Sequence, residues 1–174
     1  CRARAAHRRT VARLPVAPGL EIGPGLSERA FEHLPDAGRA WVLPAVAVGA
    51  GAEHVRAAGT LSSSPEQLIA SIVSQGEGLA RSGVRRLVLA NSHGGNRHAM
   101  DAAGLTLRSE HGMLVVKASY FRFDRPDDAD LPESEWRHGL HAGAVETAMI
   151  LHLRPDRVRA GAIARFPCLG EGPQ

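Results

Sequence analysis

The chain has 174 residues, enough for one domain with a substantial core, and its apolar (44%), charged (22%) and aromatic (4%) fractions are those of an ordinary α/β or α protein. Its net charge is only +3, and no apolar run approaches the ~20 residues that a membrane span needs. These numbers argue against a membrane-spanning chain, and the small net charge gives no general reason to expect a polyanionic partner.

The first thirteen residues, "CRARAAHRRTVAR", hold five arginines before any acid. This reads as a solvated arm: no aromatic residues interleave with it and no nucleic-acid motif follows, so nucleic acid is not expected as a partner. The arm lacks the apolar stretch of a secretory signal, and a start at Cys1 rather than methionine suggests a trimmed or partial chain. Cys1 and Cys168 stand far apart without metal-type spacing, so no disulfide framework is expected and a reducing, cytoplasmic compartment is.

Residues 40–49, "AWVLPAVAVG", form a short apolar run consistent with a strand buried on both faces, with Pro44 interrupting regular pairing. A Gly/Ala/Ser-rich loop carrying Glu53 and His54 follows. Ser64-Pro65-Glu66-Gln67 is a strong helix start: serine caps, proline suits the first turn and glutamine completes a capping box. Leu68, Ile69, Ile72, Val73 and Leu79 then recur at helical spacing up to Gly83. Gly76 and Gly78 each weaken such a helix by roughly 1 kcal/mol relative to alanine, which suggests close packing against a neighbour.

"RRLVLAN" is the next strand and ends in "SHGGN". Asn96 can cap a helix carrying Ala99, Met100, Ala103 and Leu107 that stops near Gly112. "MLVVKASYF" is a third strand. An acidic loop, "DRPDDADLPESEWRHG", leads to a last helix, "AGAVETAMILHLR", closed by Pro155. The alternation indicates βαβ units and a mostly parallel sheet with helices on both faces, in a single domain over 1–174 with an arm at 1–13 and an irregular tail at 159–174.

Ligands in such sheets bind beyond the carboxyl ends of the strands. That rule brings His93, His141, Glu146 and the Glu53–His54 pair to one edge. Alone, "SHGGN" reads equally as a tight turn, because its glycines serve a turn as well as a site and no Lys-Ser/Thr or dinucleotide glycine spacing accompanies it. In "HAGAVE", a histidine at a helix start favours its neutral form, and Glu146 lies among apolar residues where a carboxylate needs a partner. A buried Glu146 satisfied by an amide or arginine is the alternative. His33, His98, His111, His138 and His152 show no convergent pattern.

The order "VLPAVAVGAGAEHVRAAGTLSSSPEQL", "SGVRRLVLANSHGGN", "HAGAVETAMILHLRPDRV" resembles the creatininase (creatinine amidohydrolase) family over about residues 26–158. The resemblance implies a three-layer α/β/α sandwich, a homo-hexamer, and hydrolysis of cyclic amides, formamides or peptide-like C–N bonds at zinc, manganese or iron. It makes His93 and Glu146 metal ligands, with His141 and Glu146 catalytic and His141 the proton-transfer group. It also lets Glu53, His54 and Asn96 line the substrate pocket, and Trp136, by its aromatic ring alone, reads either as a wall of that pocket or as loop packing.

The family's early Glu-Gln-His-Gly-Pro-His-Leu-Pro-Leu-x-Thr-Asp is not reproduced. An ungapped match puts Arg8, Thr10 and Gly19 at its ligand positions, whereas a gapped match on "GLEIGPGL" recovers Glu21 as a ligand. With so few anionic ligands, one ion rather than two is expected, zinc first, since two histidines and a glutamate suffice for one zinc with an open position. The reading is therefore a metal-dependent amidohydrolase acting on a small cyclic amide, a formamide or a peptide-like C–N bond. The alternative is a degenerate, non-catalytic member serving as a structural subunit or binding module.

Overall fold

The computed structural model describes residues 18–35, 40–56, 58–139 and 141–164. The arginine-rich arm with Arg8 and Thr10, both cysteines, and the tail beyond 164 lie outside the described residues. In chain order the elements are α1 (Pro18–Glu32), α2 (Pro65–Arg81), β1 (Arg86–Asn91), α3 (Arg97–His111), β2 (Leu114–Ser119), α4 (Glu133–His138) and α5 (Ala144–Leu153). They fall into two compact units. Leu43–Phe123 is one; Cys1–Val42 together with Asp124–Gln174 is the other. Among the described residues no helix is long and apolar enough to cross a membrane.

The Leu43–Phe123 unit is built as a β-α-β crossover. β1 and β2 pair in parallel, in register from Arg86–Leu114 to Asn91–Ser119, and α3 connects them while packing on α2 and β2. α2 starts as its sequence dictates: the Ser64 hydroxyl accepts the Gln67 N–H and the Gln67 side chain accepts the Ser64 N–H. Gly83 and Gly112 follow α2 and α3 in the left-handed region, at φ 88° and 61°, where glycine ends a helix without steric cost.

Leu107 and Ala103 of α3 are fully buried with Leu68 and Ile72 of α2, Ala99, Met100 and Met113. Complete burial of one such leucine contributes about 1.5–3 kcal/mol. Gly76 explains itself here: a Cβ at that position would collide with the Leu107 side chain, so the missing methyl is what lets α3 seat against α2. Gly78 meets no such neighbour, since its Cβ would find only the Arg81 guanidinium at 3.7 Å.

One strand expectation changes. Residues 40–49 are not a strand, and most of the run is exposed, Trp41 by 78% and Val42 by 54%. A doubly buried strand needs hydrogen-bond partners along an edge; β1 and β2 pair only with each other among the described residues, and Pro44 offers no N–H. Within this unit the described helices α2 and α3 pack with one face of the pair. Leu87, Leu89 and Val115 pack into the core, whereas Val88, Leu114 and Val116 on the opposite face are exposed. The architecture shown is thus mixed α/β with a parallel sheet.

In the other unit α1 packs against α5. Gly19, Gly23, Pro24 and Gly25 all oppose the helix that forms over Pro18–Glu32. Tertiary contact overrides that propensity. Ile22 is fully buried, and Gly25 leaves room for Leu153, whose Cδ1 would stand 2.8 Å from a Cβ there. A short helix, α4, also forms inside the acidic loop, with Glu133 and Glu135 in its first turn, where carboxylates favour a helix N-terminus.

Candidate metal centre

The site begins at the carboxyl end of β1. Asn91 closes the strand, and "SHGGN" turns through a 3-10 turn at Gly94–Asn96 into α3. A second loop comes from residues 48–63 and is zipped by its serines. The Gly51 N–H donates to Ser62 Oγ (3.0 Å), Ser63 Oγ donates to the Val48 carbonyl (3.1 Å), and the Ser63 N–H donates to the Gly49 carbonyl (2.9 Å). A 3-10 turn at Ala52–His54 presents Glu53 and His54 side by side. Asn96 joins the loops. Its Oδ1 accepts the Ala50 N–H at 2.9 Å, so its side chain does not cap α3 as the sequence suggests.

Glu53, His54 and His93 thereby offer three donor atoms that all lie within 4.8 Å of one another. Glu53 Oε1 is 3.0 Å from His93 Nε2 and 3.6 Å from His54 Nε2, with the two imidazole centroids 5.6 Å apart. Around a tetrahedral ion with bonds of about 2.1 Å, ligand atoms stand about 3.4 Å apart, between those two distances. Two histidines and one carboxylate match zinc in donor type and count. The floor is fitted to the cluster. A Cβ on Gly95 would strike the Ala50 carbonyl and come within 2.7 Å of His93 Nε2 and 3.1 Å of Glu53 Oε1. His93 is half-buried at 23% exposure, with its Nε2 shielded from solvent, whereas His54 and Glu53 are more open at 40% and 46%.

Of the site residues expected from the sequence, Glu53, His54, His93 and Asn96 lie in the Leu43–Phe123 unit. His141, Glu146, Glu21 and Trp136 belong to the other unit. There Glu146 Oε2 accepts the Ala142 N–H at 2.6 Å, and Ala142 holds φ 52°, the left-handed region that a non-glycine residue rarely adopts. Glu135 of α4 accepts the Ala144 N–H at 2.9 Å and so caps α5. Glu21 receives Arg154 at 3.1 Å and lies 3.8 Å from Arg157. The Arg125 guanidinium stands 5.0 Å from the Trp136 ring centre and hydrogen-bonds to Glu133, holding that carboxyl below the usual carboxylate range.

Sequence reasoning placed Glu53 and His54 on the pocket wall and did not single out Asn91 or Ser119. Asn91 is only 5% exposed and donates to Ser119 Oγ at 3.2 Å. The available signal was a polar residue ending an apolar strand immediately before a glycine-rich loop, since a buried amide must be satisfied by something nearby.

Comparison with known proteins agrees with the order of motifs. Residues 12–171 match the family model described as creatinine amidohydrolase. A mycofactocin precursor peptide peptidase of Mycobacterium tuberculosis is 38% identical over 144 residues, covering 79% of this chain and 51% of that protein. The protein of the same name from Mycobacterium ulcerans is 32% identical over 150 residues, covering 82% and 54%. That from Mycolicibacterium smegmatis is 34% identical over 117 residues, covering 67% and 41%. The chain spans about half the length of these relatives. No solved structure matches it.

Proposed function

The chain belongs to the creatininase family, and from that premise we propose that it is a hydrolase of amide or peptide-like C–N bonds working with one divalent ion, zinc foremost. The observation that carries this reading is the Glu53–His54–His93 cluster seated on Gly95. An ion held there would act as a Lewis acid toward the carbonyl of the scissile bond. The residues themselves have separable tasks. Glu53 supplies the negative charge that offsets a dication, and the two imidazoles supply neutral donors. Asn96 holds the Glu53 loop against the His93 loop through the Ala50 N–H. Exposure of Glu53 and His54 leaves one side of the cluster open to a substrate.

The name carried by the relatives favours a peptide substrate over a free cyclic amide. Proton transfer is assigned to His141, and a carboxylate role to Glu146, by the family motif. Glu21 is left out of the ligand set, because Arg154 and Arg157 already balance its charge. The three-layer sandwich, the homo-oligomer and a cytoplasmic location are parts of the same proposal.

Metal analysis tests it. Purified protein equilibrated with zinc should retain about one ion per chain and lose stability in chelator, because an ion bound to the native state stabilises it. Less than ~0.2 ion per chain, with stability unchanged in chelator, would sink the reading. A second reading, a binding module of the same fold without turnover, is favoured by Arg8, Thr10 and Gly19 in the ungapped match. Bound zinc without hydrolysis of amide or peptide substrates would select it.

A further inference from the structure

The cluster is assembled from two loops more than thirty residues apart in sequence, and one buried amide connects both to the sheet. Asn91 is the last residue of β1. Its side chain lies on the face shared with Leu87 and Leu89, which pack into the core. It is 5% exposed, so its amide group must find its partners within the protein.

Its Oδ1 accepts twice, from the His93 N–H at 3.2 Å and from Asn96 Nδ2 at 3.3 Å. Its Nδ2 donates to Ser119 Oγ, the residue directly opposite in β2, at 3.2 Å. Both acceptor sites and one donor are therefore used, and the amide has one orientation that satisfies them. Asn96 continues the chain of bonds by accepting the Ala50 N–H at 2.9 Å. Gly49 is shaped for this contact, since a Cβ there would lie 2.5 Å from Asn96 Oδ1. A continuous relay thus runs from β2 through Asn91 to the loop of His93, and through Asn96 to the loop of Glu53 and His54.

From this relay we propose that Asn91 is the positioning residue of the metal centre, setting the His93 loop against the Glu53–His54 loop without touching the ion. The proposal rests on the reading that these three side chains hold a metal. Loss of the Asn91 oxygen removes the acceptor of the His93 N–H and frees Asn96 from its anchor. The three donor atoms then lose their common centre while the helices α2 and α3 stay packed. A carboxylate at 91 preserves the acceptor and can take a hydrogen bond from the Ser119 hydroxyl, so Asn91→Asp is the conservative variant.

Cobalt(II) titration, followed by its visible absorption and by zinc competition, measures the site directly. Asn91→Ala should bind cobalt about 10–100-fold more weakly, the range for partners that orient metal ligands, and Asn91→Asp should recover most of that loss. Ser119→Ala, which removes only the anchor of Asn91, should show a smaller loss in the same direction. Amide hydrogen exchange separates positioning from general damage. In Asn91→Ala the His93 and Ala50 amides should exchange faster while those in the interior of α2 and α3 keep their protection. Wild-type affinity in Asn91→Ala, or exchange raised throughout the unit, overturns the proposal. If Asn91→Ala does not fold, Ser119→Ala decides, and unchanged affinity with unchanged exchange there overturns it equally. Absence of cobalt binding by the wild-type protein removes the metal reading itself, and this inference with it.

Discussion

"SHGGN" and "HAGAVE" look alike as strings: each pairs a histidine with small residues and opens a helix. Their construction differs. In the first, amide side chains carry the structural load. Asn91 and Asn96 take up the backbone N–H groups of His93 and Ala50, which leaves His93 and Glu53 facing each other 3.0 Å apart. In the second, carboxylates do that work. Glu146 accepts the Ala142 N–H and Glu135 accepts the Ala144 N–H, around a non-glycine residue at positive φ. Neutral amides can satisfy a loop and still leave anionic and imidazole donors available to a cation. Carboxylates that cap a helix are held by the partial positive charge of its N-terminus.

The largest test of this contrast is His93→Ala. Removal of a ligand should lower zinc affinity by more than the ~100-fold that a positioning partner can cost, read by competition with a chromophoric chelator. Glu146→Gln should instead reduce stability, by about 1 kcal/mol through its weakened bond to Ala142. An equal loss of zinc in both variants would erase the distinction between the loops.

Glycine substitutions sharpen the comparison. Gly95→Ala should weaken zinc binding and cost about 1–3 kcal/mol in urea denaturation, because the added methyl meets Ala50, His93 and Glu53. Gly94→Ala meets nothing within 4 Å and should stay within ~0.5 kcal/mol of wild type. Gly143→Ala places a methyl 2.7 Å from the Gly139 carbonyl and should destabilise by a similar ~1–3 kcal/mol, with zinc affinity unchanged. Ala142→Gly relieves the left-handed backbone and should stabilise by about 0.5 kcal/mol, the relief being partly offset by chain entropy.

The smallest effects concern pH. The hydrogen bond from Lys117 holds the Asp101 carboxyl below its ordinary range, as that from Arg125 does for Glu133. A folded-state value below the unfolded one gives stabilisation that is complete above about pH 4 and is lost as pH falls through the folded value. Asp101→Asn and Glu133→Gln should therefore flatten the acid limb of a stability–pH curve. High salt should do the same, since all four groups are at the surface.

Much of the crossover was legible before any coordinates. Ser64-Pro65-Glu66-Gln67 starts α2 as a capping box, Gly83 and Gly112 follow the two long helices, and the apolar runs of β1 and β2 sit where their β-rich composition puts them. These features are local, and local sequence states them. The position of His93 after a strand was legible for the same reason. The grouping of its partners was not. Glu53 and His54 reach it through Asn96, which bonds 46 positions away, and a loop closed by serines 11 positions apart, contacts that no periodicity reports.

The sequence by itself determined the alternation of strand and helix, the family, and the chemistry of the donors. Tertiary structure alone decided three matters. Pro18–Glu32 became a helix because Ile22 is buried and Gly25 admits Leu153, contacts strong enough to override three glycines and a proline. The apolar run at 40–49 stayed outside the sheet because hydrophobicity alone does not make a strand, and Pro44 offers no N–H to a ladder. Glu53, His54 and His93 acquired a common centre because a buried amide at the end of one strand has to satisfy its hydrogen bonds, and the groups that satisfy it belong to or bind the loops that carry these three residues.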